Sequence, residues 1–494
     1  MFASLLVVGF MISLILASVI FFADEVADGP LQVSMTLATL FALGVAYYYG
    51  FRGPVISQAI NSGIHGVLGT VFVILAIGTV IGTLFLTGTV ASFIYYGVTF
   101  ISARFFYVTV FILCLVLSSL LGSTLTTIGA IGIPFISLAS LMGVSPIIAA
   151  GAAASGGIIG NKIARISDTA NLTIDTVGGV SMDDHIRTVI RTAIPAVLIT
   201  GMVFLVIGLT SDATGTALDV AQVQEVISQY FNVSLLNFVP ILLIFALSSL
   251  RFSAFMALML PAIVAVVLAA FTQHDLIVSL AADPNLSYLP AFLKVAIDVL
   301  GNGFQLGSSS PELNQVFSGG GAAGMLTTMW MILMAAAFGA VTEYTGMLGR
   351  LISPVIKWAK GPVRLILVTM LTSIGLNIVT ADYNVSIVLT GRMFRKEYIN
   401  ARLKPQVLTT AMADSGNIFS WVIPWNVHGV LLTALLGVSA AEWAPLTFIC
   451  YVTPVVTFVM ALFVFRKQYL PESEDAVEAY GEAIIEVPET AQLA

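Results

Sequence analysis

Apolar runs of about 20 residues, the length that crosses a bilayer core as a helix, recur along the whole chain. The first covers 3–23, and no Lys or Arg precedes it. It lacks the basic leader of a cleavable signal and is longer than a signal's apolar core, so it reads as a span. Further runs fall near 31–49, 64–86, 105–143, 146–161, 192–210, 233–250, 253–271, 322–342, 365–391, 406–427 and 445–465. Only 9% of the 494 residues are charged, against roughly a quarter in a soluble domain. A soluble enzyme, a disulfide scaffold, a disordered chain and a nucleic-acid binder are all excluded. The expectation is an all-α polytopic membrane protein whose solvent is the lipid bilayer. Cys114 and Cys450 both lie inside apolar runs and form neither a metal-ligand nor a disulfide pattern.

The net charge of −7 belongs to a tail. Seven acids lie beyond the last apolar run, and the other 19 balance the 19 Lys and Arg residues. The basic residues orient the rest. They cluster at Arg350/Lys357/Lys360/Arg364, at Arg392/Arg395/Lys396/Arg402/Lys404 and at Lys162/Arg165/Arg187/Arg191, with smaller groups at Arg52, Arg251 and Arg466/Lys467. The positive-inside rule puts these on the cytoplasmic face. Residues 24–30, 211–231 and 272–290 carry acids and no Lys or Arg, and go outside. Residues 365–391 have a basic cluster at each end, so the chain enters and leaves on one side. Two full spans need about 40 residues, and this run has 27. A re-entrant hairpin is expected.

The two halves resemble each other at an offset near 258. Thr87-Gly88 recurs as Thr345-Gly346, Pro146 as Pro405, and Ser155-Gly156 as Ser415-Gly416. Asp168 falls opposite Asn426, and Thr124 opposite Asp382. The basic residues flip between halves: 161–191 has four and 419–449 has none. Two five-span repeats of opposite topology would behave this way, and inverted repeats are a transporter signature with the site at the repeat interface. The expected divisions are a first repeat over 1–210 with a hairpin in 105–143, and an external linker over 211–232. A second repeat covers 233–466 with a hairpin in 365–391, and an acidic cytoplasmic tail covers 467–494. Each repeat is expected to hold one broken helix.

An acid inside an apolar segment is costly and marks function by default. Asp168, Asp414, Asp382 and Glu343 are such acids. A carboxylate at the midplane binds a hard cation through oxygen, and burial favours its neutral, protonated form. One group doing both in turn makes cation and proton compete, which is the minimum for antiport. Asp414 precedes Gly416 and Pro424, residues expected where a spanning helix unwinds. Asp168 either binds the ion or caps a helix start, and Asp382 has the same two readings at the hairpin tip. Glu343 closes a span beside Thr345-Gly346. Ser123, Thr124 and Thr126 offer hydroxyls at the first hairpin tip, or serve helix packing. The Gly151–Gly157 run reads as a site of close helix approach. His65, His185, His274 and His428 show no metal spacing, and His428 reads as a loop residue. No nucleophile stands with a base, so an enzyme is not expected, nor a bound cofactor.

Several of these stretches resemble the NhaC-type sodium/proton antiporter family. Gly160-Asn161-Lys162-Ile163-Ala164-Arg165-Ile166-Ser167-Asp168-Thr169-Ala170-Asn171-Leu172 is similar to the family signature GDKxSPLSDTTNL. Residues 386–394 resemble SIVLPGRMF, and Asp414-Ser415-Gly416 with Ile423-Pro424-Trp425-Asn426 resembles DSG followed by IPWN. Phe338-Gly339, Glu343 and Thr345-Gly346-Met347-Leu348 carry a further match, as do Thr87–Val90 and the Gly122–Thr127 hydroxyls. The resemblance runs from about 31 to 465. It implies inverted repeats with re-entrant hairpins and broken helices, and exchange of Na+ or Li+ for H+ at the bacterial cytoplasmic membrane. Some members exchange small carboxylates or amino acids. Five residues depart from the pattern: Asn161 replaces the Asp, Ala164-Arg165 the Ser-Pro, Leu125 a Trp, and His428 a Cys or Ser. Arg165 either anchors the cytoplasmic face or holds an anionic substrate.

The expectation is a secondary transporter of ten spans and two hairpins, with both termini cytoplasmic and a homodimer as the reasonable assembly. Asp168 and Asp414 form its Na+ and proton site. Ser123, Thr124, Thr126, Ser155, Asn161, Ser167, Thr169, Asn171, Ser415, Asn417 and Asn426 support them. Asp382 and Glu343 handle protons. Reporter fusions test the orientation: a fusion near residue 400 should report cytoplasm, and a periplasmic signal there would overturn the topology.

Overall fold

The computed structural model describes residues 1–22, 26, 29–211 and 220–469. Part of the expected linker (212–219) and nearly all of the acidic tail (470–494) lie outside the described residues. In hydrocarbon every backbone N–H and C=O needs a partner within its own segment, which leaves the helix as the local solution for these runs. Helices accordingly dominate, interrupted by one two-residue ladder pairing Phe304–Gln305 with Ser318–Gly319. Among the described residues ten helices are long and apolar enough to cross a membrane, or up to thirteen if three bent pairs each count as one span. The chain is an all-α polytopic membrane protein, as its composition requires.

Two of the bent pairs are the broken helices. The first runs Pro146–Ile163 and resumes as Asp168–Val177 after a bend of 44°. Ser145 and Ser167 start its segments, their hydroxyls accepting from Ile148 N and Ala170 N. The second runs Pro405–Val422 and resumes as Val427–Leu436 after a bend of 50°. Pro424 causes this break. It has no N–H to give, and it forces the preceding residue out of the helical region; Ile423 is extended at φ −88°, ψ 112°. Asn426 restarts the helix by accepting from His428 N at 3.1 Å. At Gly416 the helix stays wound, widened into a π turn over Ala413–Asn417. Such bulges recur at functional sites.

Two further breaks share one design. Gly122 (φ 66°) is followed by Ser123, which caps the helix start at Thr124; Ala381 (φ 56°) is followed by Asp382, which caps the start at Tyr383. By role, Ser123 rather than Thr124 is therefore the counterpart of Asp382. In the second pair the arms Pro362–Thr380 and Tyr383–Asn400 pack side by side. They have 19 and 18 residues, longer than the apolar run suggested. At 1.5 Å per residue each is about 28 Å long. The extra turns carry the exposed Arg364, Arg392 and Lys396 toward their outer ends, positions from which long basic side chains can snorkel, while Arg395 is buried. In the first pair, Phe106–Leu121 and Ile133–Leu141 both lie against Pro146–Ile163.

The halves match and differ in detail. Gly88 (φ 74°, ψ 15°) and Gly346 (φ 68°, ψ 15°) take the same left-handed turn after Thr87 and Thr345. The π turns do not correspond. In the first half the π turn is Ile128–Gly132, beyond the Gly122 break; in the second it lies in the broken helix.

Glycine sets how closely these elements meet. A Cβ on Gly156 would stand 2.2 Å from the Phe111 carbonyl oxygen, and one on Gly160 2.4 Å from that of Leu115. Their spacing of four gives the small-residue stripe on which membrane helices pack. Gly375 has nothing within 4 Å of a built Cβ. Gly156→Ala should therefore destabilise the protein by about 1–3 kcal/mol, read as a lower unfolding temperature in detergent, while Gly375→Ala should not.

Candidate functional site

Two charges are buried against each other where the broken helices meet. Lys162 is the penultimate residue of Pro146–Ile163, and Asp414 sits in the π turn of the second broken helix. Lys162 is 7% exposed and Asp414 0%. Lys162 Nζ forms an ion pair with Asp414 Oδ1. The other carboxylate oxygen accepts from Thr457 Oγ1 at 2.6 Å, a contact supplied by the helix Phe448–Phe463. Gly416 lets this turn approach the second helix pair, since a Cβ there would overlap Ser373. Sequence reasoning found Asp414 and missed its partner, because Lys162 counted only as one of four basic residues orienting a loop. The signal was there: a buried carboxylate needs a cation, and Lys162 alone of that cluster stands inside a glycine-lined helix.

Oxygen atoms without hydrogen-bond partners surround this pair in sequence and on neighbouring turns. Thr410 Oγ1 lies one turn before Asp414, and Thr453 Oγ1 one turn before Thr457; both are buried and unbonded. Ser155 Oγ and Asn161 Oδ1, on the Lys162 helix, are in the same condition. Unsatisfied buried polar groups are rare and call for a reason, such as a catalytic role or an unseen water or ion. Thr410, Thr453 and Thr457 went unnoticed in the sequence because a hydroxyl in a membrane helix most often bonds its own backbone.

The other expected acids gather elsewhere. Asp168 is exposed in the first turn of Asp168–Val177, and among the described residues no hydrogen bond or ion pair joins it to Asp414. Its helix packs against Tyr383–Asn400, the arm that Asp382 caps. Asp382 is buried and accepts from Asn384 N at 2.7 Å, the capping role. Glu343 is half-buried, and the charges of Arg392 and Asp382 act on it. These three acids thus line the second helix pair rather than the Lys162–Asp414 pair.

Most of the expected supporting groups are already occupied. Ser123 accepts from Thr126 N and donates to Thr126 Oγ1, and Thr124 donates to the Gly157 carbonyl. Ser167 and Thr169 share a hydroxyl bond at 3.0 Å, and Ser415 donates to Ala411 O at 2.5 Å. Asn426 ties the second break to Asn377, and the backbone carbonyl of Asn417 accepts from Ser420 Oγ. Asn171 is exposed. Arg165 is exposed and pairs with Asp183 at 3.0 Å, the anchoring role. His428 is no loop histidine: it is buried, stacked between Tyr383 and Trp421, and bonded to Ser420 Oγ at 2.7 Å.

Residues 174–465 match the sequence profile of the Na+/H+ antiporter family. The chain belongs to that family. It is 28% identical to a Na(+)/H(+) antiporter NhaC of Alkalihalophilus pseudofirmus over 92% of this chain and 94% of that one. It is also 28% identical to NhaC of Bacillus subtilis, over 87% of this chain and 91% of its relative. A malate-2H(+)/Na(+)-lactate antiporter of B. subtilis is 25% identical over 92% of both chains.

The neighbour of Lys162 in sequence is Asn161, so Lys162 faces a single carboxylate with no acidic neighbour beside it. Breaking a buried pair from one side strands a charge and costs about 3–5 kcal/mol, whereas apolar replacement of both is often neutral. Lys162→Met should therefore destabilise by that amount, and Lys162→Met/Asp414→Leu should recover most of it, measured by thermal unfolding of the detergent-solubilised protein.

Proposed function

We propose that this protein exchanges Na+ or Li+ for H+ by alternating access at the cytoplasmic membrane, with Asp414 as the cation-binding carboxylate and Lys162 as its internal competitor. The observation that supports this is the buried Lys162–Asp414 pair joining the two broken helices. An incoming cation takes the Asp414 carboxylate, with oxygen from Thr457 and from the unbonded Thr410, Thr453, Ser155 and Asn161. The displaced ammonium then stands buried without a counter-ion, a setting that favours the neutral amine. One proton leaves as one cation enters, and the site carries zero net charge in both states. Zero net charge in a low-dielectric core keeps either loaded state able to move. Asp168, exposed at the basic face, is suited to gathering cations there. Asp382 and Glu343 are suited to proton handling along the second helix pair.

A carboxylate substrate, as in the malate/lactate relative's name, would need a basic group to hold it. Lys162 is already paired, and Arg165 is at the surface. The cation reading is therefore the better supported.

Everted vesicles with a ΔpH-sensitive dye test it. Na+ or Li+ added at alkaline pH should collapse the gradient, and Asp414→Asn should reduce the response to the vesicle background. No response to any alkali cation, with uptake of labelled malate or an amino acid instead, would overturn it.

A further inference from the structure

The helix Phe448–Phe463 runs into a short turn, Phe465–Lys467, that packs against Pro362–Thr380. Just beyond the turn the backbone is pinned. Tyr469 bridges to Leu403, and Lys404 N donates to the Gln468 carbonyl at 3.0 Å. Leu365, Leu403 and Phe465 belong to one buried apolar cluster. Each has basic neighbours in sequence: Arg364 beside the first, Arg402 and Lys404 about the second, Arg466 and Lys467 after the third. Lys404 is half-buried and the other four are exposed. Arg364 rests over the Trp358 ring at 5.8 Å. None of the five has an ion-pair partner among the described residues. Three separate segments thus gather a collar of uncompensated positive charge around the point where the chain leaves the helices.

The matching negative charge lies in the stretch that leaves from that point. Residues 470–494 hold Glu472, Glu474, Asp475, Glu478, Glu482, Glu486 and Glu489, and no Lys, Arg or His. Four of these acids fall within ten residues of Tyr469. Ten residues span at most about 35 Å, which keeps those four close to the collar by any path. We infer that residues 470–494 dock by charge on the collar of Arg364, Arg402, Lys404, Arg466 and Lys467. A single exposed ion pair contributes little. Here the root is already fixed at Leu403–Lys404, so the acids meet the collar as a tethered ligand, at an effective concentration on the order of millimolar. Several pairs form together at low ionic strength and are lost as salt screens them. The docked tail straps together the ends of three elements: the second helix pair at Arg364, the Asp414 helix at Arg402–Lys404, and the Thr457 helix at Arg466–Lys467. Anionic lipid headgroups are the competing occupant of a basic rim. The pinned root favours the tail, because a headgroup has no such tether.

Spin labels on Asn400→Cys and Ala483→Cys in the full chain measure the docking. Asn400 is exposed close to Arg402, and the native Cys114 and Cys450 are buried. In nanodiscs of neutral phosphatidylcholine at low salt, pulsed electron resonance should give one narrow distance. Raising salt from about 0.05 M to about 0.5 M shortens the screening length about threefold and should broaden that distance. Arg402→Gln/Lys404→Gln/Arg466→Gln/Lys467→Gln should broaden it at low salt. So should Glu472→Gln/Glu474→Gln/Asp475→Asn/Glu478→Gln, which leaves the collar and the folded helices untouched. A broad distribution in the unsubstituted chain at low salt would overturn the inference, as would a narrow one that survives either set of substitutions. A narrow distance that vanishes when phosphatidylglycerol is added would make the collar a headgroup site and overturn it as well. The readout needs no transport, so the docking and the antiport reading stand or fall separately.

Discussion

A positive and a negative charge buried against each other, in a chain with few charges, is the constraint around which the interior is arranged. Neither Lys162 nor Asp414 could be held in a helix-lined core alone. Each therefore fixes where the other's helix must run. The Gly156/Gly160 stripe brings the Lys162 helix close to its neighbour, and Gly416 brings the Asp414 turn against Ser373. The two breaks then fall just beyond the pair, after Ile163 and after Val422. The glycines and the breaks are thus parts of one packing problem: placing two charged side chains at the same depth from two separate helices.

Close packing also explains how the site can be polar without being wet throughout. The hydroxyls of Ser123, Thr124, Thr126 and Ser415 are consumed by bonds within and between helices. On the helices of the pair and on the Thr457 helix, Thr410, Thr453, Ser155 and Asn161 remain unbonded, as do groups elsewhere among the described residues such as Thr200, Ser248 and Ser439.

Legibility in the sequence followed the strength of each physical signal. Spans were readable because a bilayer demands about 20 apolar residues, and Asp414 because an acid in such a run is expensive. The second helix pair was readable as a turn back, but its arms were cut short: Arg364 and Arg392 lower hydropathy without ending a helix. Lys162 was not readable as a ligand because positive-inside statistics and ion pairing call for the same residue type near a helix end. His428 was misplaced because Asn426 and Pro424 signalled a loop, while stacking between Tyr383 and Trp421 buries the ring. The burial of His185 carried no signal, since the hydroxyl its ring bonds lies 224 positions away in the chain.

The departures between the halves carry more meaning than their likeness. Gly88 and Gly346, and the two capped turns at Ser123 and Asp382, show a shared backbone plan. On that plan one broken helix contributes a cation from a regular helical turn, and the other an anion from a π turn. A π turn inserts one residue and so rotates the face that follows it. Asp414 stands near the start of that turn and pairs with Lys162 there. Unlike groups from two different helices form a neutral pair. A neutral pair can hand its place to a cation without leaving a net charge in the membrane.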